Sequence, residues 1–392
     1  MSEEKDALLI LPDMDICGGG EKVSYEAGKI LAEKGYNIDI LTNSVESDET
    51  EILPKLEEAY GTSENFRDAL REIRIIDHGL VKKFVRYRYK ESYQWLKASK
   101  MHGENFYDLI VTHYSNIHFM PEFDGTQVIY FLGPGPKHTS MKIRAALSIY
   151  MVPYNLLNMR TRKRRQPRNY TFVCVSEYTK DNFSEKFPDF KFEKIYPPID
   201  TDEFRYSGEE KEKKIVNFSR ISPDKRNHKF IEAVSRIPEE RREGWKFRVI
   251  GKLRESERSY FEKLKSMRQD LGLENCLEIR TDLDFDELKT ELKTSRLYIH
   301  TAINETMGIT PVEALAAGND ILVHKSGGPW VDIADQGEYG EGWSDEEELV
   351  KKMKDFMKNG EPEVERNVKR ARKFDRDRFR ESFSELISEV ER

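Results

Sequence analysis

The 392-residue chain is expected to fold as an α/β protein of two Rossmann-like, doubly wound domains facing a central cleft. Three observations predict it. Short apolar runs alternate with helical stretches, as parallel βαβ units require. The alternation occurs twice, and Pro197-Pro198 followed by the charged connector Arg205–Lys214 (RYSGEEKEKK) separates the two series. The length suits two or three domains of roughly 100–200 residues each.

In the first series Ala7–Leu11 reads as a strand, then a glycine-rich turn, then a helix from Glu21 to Glu33. Strands follow at Ile38–Thr42, Ile73–Asp77, Leu109–Thr112, Val128–Leu132, Thr171–Val175 and Lys194–Tyr196, with a charged helical stretch after Glu51. In the second series the strands are Ile215–Ser219, Phe247–Gly251, Cys276–Arg280, Leu297–Thr301 and Ile321–Val323. Helices at Lys229–Arg236, Glu255–Leu271, Asp284–Ser295 and Pro311–Ala317 separate them. Ser344 and Glu347 are spaced as a capping box for a helix through Met357. The expected domains are 1–204 and 212–370. A terminal helix at 371–392 would pack back toward the first domain.

Charged residues are 35% of the chain, aromatic residues 11%, and the net charge is −7, the balance of a folded protein with a charged surface. No run approaches the ~18 apolar residues of a spanning helix. The acidic MSEEKDALLILPDMD start is the reverse of a signal peptide, and Cys17, Cys174 and Cys276 have no paired spacing. These features point to the cytoplasm. Charge is uneven, however: residues 137–168 hold nine Lys or Arg and no acid, so the remainder carries −16. Within that segment Ala145–Met159 is uncharged and flanked by Lys142 and Arg144 before it, and by Arg160, Arg162, Lys163, Arg164 and Arg165 after it. Such a stretch suits a peripheral position on an anionic leaflet. Lys82–Lys97 interleaves six basic residues with five aromatics, again an interfacial composition. A buried helix with a solvated basic end would read the same way. Nucleic acid is not the expected partner, because the apolar run has no role there.

Three motifs follow strands. Gly18-Gly19-Gly20-Glu21 would let backbone approach an anion at a helix start, or would simply make a tight turn. Arg220 and Lys225, five apart after Ile215–Ser219, would meet a diphosphate or be a solvated basic turn. Glu305-Thr306-Met307-Gly308-Ile309-Thr310-Pro311-Val312-Glu313 opens a helix with its proline in the first turn. Two carboxylates around a phosphate seat suit sugar and ribose hydroxyls, which are donors.

The E-x7-E element, the R-x4-K pair, the glycine-rich first loop and Ser326-Gly327-Gly328-Pro329 together resemble glycosyltransferase family 4, which has the GT-B fold. GGGEK at 18–22, YPPIDTDEF at 196–204 and HKSGGPWVDI at 324–333 look most like the lipid-linked-oligosaccharide mannosyltransferases. The resemblance implies retention of anomeric configuration, a nucleotide-sugar donor (GDP-mannose, with a UDP-sugar as alternative), a lipid-linked glycan acceptor, and no required metal or other cofactor. It assigns acceptor binding to 1–204 and nucleotide-sugar binding to 212–370. Within the latter it assigns Arg220 and Lys225 to the diphosphate, Glu305 to the donor sugar and Glu313 to the ribose. Met307, Gly308 and Ile309 match the loop whose amides meet phosphate, and Gly19 and Gly20 the N-domain loop. His113 matches a histidine near the sugar, although a lone histidine could equally make a structural hydrogen bond. Thr306-Met307 and Asn319-Asp320 depart from the usual Pro-Phe and Thr-Pro, which leaves sugar selectivity open. A soluble acceptor, or a non-catalytic nucleotide-sugar or membrane-binding protein, remain alternative readings.

Overall fold

A computed structural model describes residues 4–11, 18–43, 48–76, 88–113, 124–131 and 169–392. The basic segment at 137–168, Lys82–Arg86 and Cys17 lie outside the described residues. The chain divides into two compact units, Met1–Pro198 with Asp377–Arg392, and Ile199–Arg376.

The N-terminal unit runs β1 (Lys5–Leu11), α1 (Gly19–Glu33), β2 (Tyr36–Thr42), α2 (Glu49–Tyr60), α3 (Glu64–Ala69), β3 (Leu70–Ile75), α4 (Arg88–Glu104), β4 (Leu109–His113), β5 (Thr126–Phe131), β6 (Tyr170–Cys174), α5 (Glu177–Lys186) and β7 (Phe192–Lys194). All neighbours pair in parallel, in the order β3-β2-β1-β4-β5-β6-β7. Leu8, Leu9, Ile10, Ile110 and Val111 are all but sealed from solvent, as expected where helices cover both faces of a sheet. Phe131 stacks on Phe183 at 4.7 Å between ring centroids, in a core shared with Phe172 and Phe192. Each such ring contributes about 1.5–3 kcal/mol by burial. Helix α1 ends where Gly35 takes φ +83°, a left-handed conformation that costs glycine nothing.

The C-terminal unit repeats the plan: β8 (Lys214–Phe218), α6 (Asn227–Ser235), α7 (Glu239–Arg242), β9 (Lys246–Gly251), α8 (Arg258–Asp270), β10 (Leu277–Thr281), α9 (Phe285–Lys293), β11 (Leu297–Ile299), α10 (Ile309–Ala316), β12 (Asp320–His324), β13 (Glu341–Trp343), α11 (Glu346–Asn359) and α12 (Val364–Ala371). Its strands are also parallel, in the order β10-β9-β8-β11-β12-β13. The last helix, α13 (Arg376–Val390), belongs to the N-terminal unit. Arg380 ties it to α1, reaching the buried Glu26 at 3.0 Å and the exposed Glu33 at 2.6 Å.

Four details differ from the sequence expectations. Helix α11 is capped by Asp345, whose carboxylate accepts from Glu348 N at 2.8 Å, and not by Ser344 with Glu347. Ser344 instead donates its own N–H to Glu348 at 2.8 Å, so the acidic side chain nearer the helix took the cap. The strand expected at Lys194–Tyr196 ends at Lys194, because register with β6 is exhausted there. The short strand β13 carries no long apolar run and was not anticipated. Trp95, part of the aromatic–basic stretch, is 2% exposed in the core, so that ring packs rather than faces a membrane.

Candidate functional site

In both sheets the strand order reverses beside the first strand, between β1 and β4 and between β8 and β11. Loops leaving the carboxyl ends of two such strands diverge to opposite faces and open a crevice, where ligands bind in doubly wound folds. The motif residues emerge at those two points.

In the C-terminal unit, β8 leads into the loop carrying Arg220 and Lys225. The loop is pinned by Asn227, fully buried, whose amide donates to Asn217 Oδ1 and Ser219 Oγ at 3.0 Å each. Arg226 beside it is left-handed at φ +55° and joins the 3-10 turn Pro223–Lys225 to α6. β11 leads into the loop carrying Glu305. The two loops meet: Lys225 Nζ lies 2.5 Å from Glu305 Oε1. On the other side His300 Nε2 lies 2.8 Å from Glu305 Oε2, close but out of line for a well-aligned hydrogen bond, so its hold is mainly electrostatic. Burial alone would raise the Glu305 carboxyl; Lys225 and then His300 outweigh it and hold the group well below the usual carboxylate range. Thr301 Oγ1 donates to Lys225 O at 2.7 Å, binding the two loops at backbone level as well.

Arg220 is not drawn into this cluster. It faces Asp224 at 3.7 Å, both half exposed. Gly308 caps α10 with φ +86°, and a Cβ there would stand 2.9 Å from Pro329 Cγ, so glycine is required on both counts. Ile309 is the first residue of that helix, and Met307 beside it is buried, which leaves the backbone as its means of meeting a ligand. The helix start is a favourable seat for an anion. Glu313 lies further along α10, and Glu305 and Glu313 together press on the Tyr298 phenol, whose buried hydroxyl is held far above its ordinary pKa chiefly by burial. The Ser326-Gly327-Gly328-Pro329 turn braces the Glu305 loop: Gly328 N donates to Glu305 O at 2.9 Å, and Gly327 forms an isolated parallel bridge with Glu305.

In the N-terminal unit Gly19 and Gly20 open α1, and Glu21 returns to accept from Gly18 N at 3.1 Å. His113 ends β4 and is 4% exposed. Its Nδ1 lies 2.9 Å from Ser24 Oγ, which also reaches Gly20 O at 3.2 Å, so the serine links the glycine turn to the histidine. Among the described residues its buried Nε2 has no hydrogen-bond partner. Burial pulls the ring's pKa down to about 3, leaving it neutral over the physiological range. Lys142, Arg144, Arg160, Arg162, Lys163, Arg164 and Arg165 lie outside the described residues.

Comparison with known proteins bears on both units. Residues 199–374 match the family model for glycosyl transferases group 1, a little under half of the chain. Its fold is GT-B: the UDP complex of HepE from Anabaena superposes with a TM-score of 0.69 at 17% identity, covering 98% of this chain and 100% of that one. A glycosyltransferase from Rickettsia africae also gives 0.69, at 15% identity over 99% of both chains. Among curated relatives, a mouse protein named GDP-Man:Man(3)GlcNAc(2)-PP-Dol alpha-1,2-mannosyltransferase is 33% identical over 150 residues, 36% of this chain and 30% of its own length. The relative of the same name from Candida glabrata is 25% identical over 357 residues, 81% of this chain and 68% of its own.

Reasoning from sequence missed several residues that build this candidate site: His300, Tyr298, Asn227 and Ser24. The available signal was polar side chains at the ends of otherwise apolar strands, as in Leu297–Thr301 (LYIHT). The departure at Asn319-Asp320 has a structural account. Asn319 donates to Leu292 O at 3.0 Å, and Asp320 accepts from Asn367 at 2.7 Å and Glu363 N at 3.0 Å, so the pair anchors α9 and α12. In Asp282-Leu283-Asp284 both carboxylates are likewise engaged: Asp284 caps α9 through Glu287 N at 2.7 Å, and Asp282 accepts from Leu253 N at 3.2 Å. Among the described residues no group of three or more His, Cys, Asp or Glu side chains is placed to hold a metal ion, and no helix is long and apolar enough to cross a membrane.

Proposed function

We propose that the protein is a retaining hexosyltransferase that moves mannose from GDP-mannose to a lipid-linked glycan. The observation that carries this reading is the Lys225–Glu305–His300 cluster beside the helix start at Gly308, a charged seat fitted to a sugar diphosphate. Mannose, the guanine nucleotide and the lipid-linked acceptor are inferred from the names of the relatives. When the bond between the sugar's anomeric carbon and the diphosphate oxygen breaks, the electron pair leaves with the diphosphate. Arg220, Lys225 and the amides of Met307, Gly308 and Ile309 would stabilise that growing charge, a preorganised electrostatic contribution. Glu305, kept ionised, would accept from sugar hydroxyls, and Glu313 from the ribose. The acceptor hydroxyl would form the new bond on the face the diphosphate leaves and pass its proton to the departing diphosphate oxygen, giving retention. In the N-terminal unit Gly19, Gly20 and His113 are the residues proposed to meet substrate. The −16 body and +9 segment of the sequence support a peripheral position on an anionic cytoplasmic leaflet.

Thermal denaturation with GDP, UDP, ADP and their sugar conjugates tests the donor. A ligand at ~100 times its Kd should add roughly 2.7 kcal/mol. A shift with one base, lost in Arg220→Ala/Lys225→Ala, is expected; no shift with any base would overturn the reading. For the surface, sedimentation with anionic liposomes should fall when Arg160, Arg162, Lys163, Arg164 and Arg165 are neutralised. Unimpaired sedimentation would remove the membrane from the proposal.

A further inference from the structure

His300 was not among the residues the motifs pointed to, yet it is firmly enclosed. Its side chain is 3% exposed, its N–H donates to Leu322 O at 2.9 Å, and its carbonyl accepts from Trp343 Nε1 at 3.3 Å. Two neighbours flank the ring: Tyr298 Oη at 2.9 Å from Nδ1, and Glu305 at 2.8 Å from Nε2.

We propose that His300 is a positioning residue that holds Glu305 through a protonated Nε2, so that the carboxylate keeps its place when Lys225 turns to a donor diphosphate. This rests on the donor reading above. At 2.8 Å a bare ring nitrogen would set its lone pair against those of the carboxylate, so Nε2 bears the proton. In the neutral ring Nδ1 is then an acceptor. The Tyr298 phenol has two acceptors in reach, Nδ1 at 2.9 Å and Phe218 O at 3.1 Å, and this tautomer directs its proton to Nδ1. Thr310, in the first turn of α10, is 2.7 Å from the same phenol and can supply the hydrogen bond Tyr298 accepts. Hydrogen bonds thus link the helix start to the His300 ring, whose Nε2 stands 2.8 Å from Glu305 Oε2.

The need for it follows from Lys225. An ammonium is a single point charge, and in the ligand-free protein it is spent on Glu305. A diphosphate would compete for it. With Lys225 alone Glu305 would lose its partner as donor bound; with His300 it retains one.

The test separates the sugar from the nucleotide. Calorimetric Kd values for GDP and GDP-mannose, or UDP and its sugar if that is the base bound, are measured on the full chain and on His300→Ala, His300→Gln and Tyr298→Phe. His300→Ala should keep nucleoside diphosphate affinity within about 3-fold. It should lose the extra affinity contributed by the sugar and lower kcat/KM by about 10- to 100-fold, the span of one hydrogen bond to a charged group. His300→Gln, which keeps an N–H donor, should recover most of that loss. Equal weakening of both ligands, or a folded Gln variant no better than Ala, would overturn the proposal. Nitrogen-15 NMR of the wild-type ring decides the matter without any donor. An Nε2–H signal that moves in Glu305→Gln is expected, and an Nδ1–H tautomer would overturn it. A chain that binds no nucleotide but shows the Nε2–H signal would fail the donor reading while leaving the hold on Glu305 standing.

Discussion

At the reversal point of the N-terminal sheet, β4 ends in a neutral imidazole leaning on Ser24; at the matching point of the C-terminal sheet, β11 is followed by a carboxylate between an ammonium and an imidazole. The topology of the two is the same, from the glycine or basic loop after the first strand to the polar group after the fourth. Their solutions to burial differ. A buried imidazole sheds its charge and needs only neutral partners, here the Ser24 hydroxyl at Nδ1. A carboxylate drawn out of water that must stay ionised needs compensating partners, and Glu305 has the Lys225 ammonium at one oxygen and the His300 ring at the other. Topology therefore says where each unit can present chemistry, and side-chain charge says which kind.

The sharpest way to break this comparison is Lys225→Ala. Removing one member of a buried pair should destabilise by roughly 3 kcal/mol, the low end of the range because Lys225 and Glu305 keep 16% and 20% of their side-chain surface. Adding Glu305→Gln should restore part of it. Urea unfolding of the two variants measures the difference, and an unchanged single variant would mean that the site is not held by charge. Gly327→Ala attacks the bracing instead. A Cβ there meets Glu305 O at 2.4 Å from a residue at φ +96°, so a loss of about 2 kcal/mol and a displaced Glu305 are expected, read as lowered stability together with weaker nucleotide-sugar binding.

His113 sharpens the neutral side. Its folded pKa is about 3 against an ordinary value of 6.5, so below pH 6.5 the unfolded chain binds a proton that the native protein refuses. Stability should therefore fall as pH falls, by up to about 1.4 kcal/mol per pH unit from this group. His113→Asn should flatten the profile between pH 6 and 4 by that slope; an unaltered slope would mean the ring is not neutral in the native state. Ser24→Ala should cost about 1 kcal/mol, one neutral hydrogen bond. Smallest of all, Arg220→Ala should change stability by less than about 0.5 kcal/mol, since its pair with Asp224 is exposed. Donor affinity should nevertheless drop in that variant, and this divergence between stability and binding is what marks Arg220 as a ligand contact.

Much of this was legible from residues alone because parallel strands buried on both faces read as unbroken apolar runs, as in Leu8–Leu11 and Ile110–Val111. Glycine turns and the Arg220/Lys225 and Glu305/Glu313 spacings are local, so their placement at strand ends was readable too. His300 was not, because an isolated histidine after a strand gains its meaning only from Tyr298, Thr310 and Glu305. Nor was the cap at Asp345, since Ser344 and Asp345 are both good caps and only the path of the chain chooses between them. Trp95 misled for a related reason: composition records an aromatic among basic residues, and only packing says that its ring is in the core.

By itself, then, the sequence determined the fold class, the two βαβ series and the residue types able to meet a sugar diphosphate, because each depends on periodicity or on neighbours within a few positions. Only the tertiary structure decided that Lys225 and Glu305, eighty positions apart, form one ion pair, and that His113 is neutral while Glu305 is charged. Protonation follows from burial and from the charges within a few ångströms, and parallel pairing of strands distant in sequence is what brings those charges together.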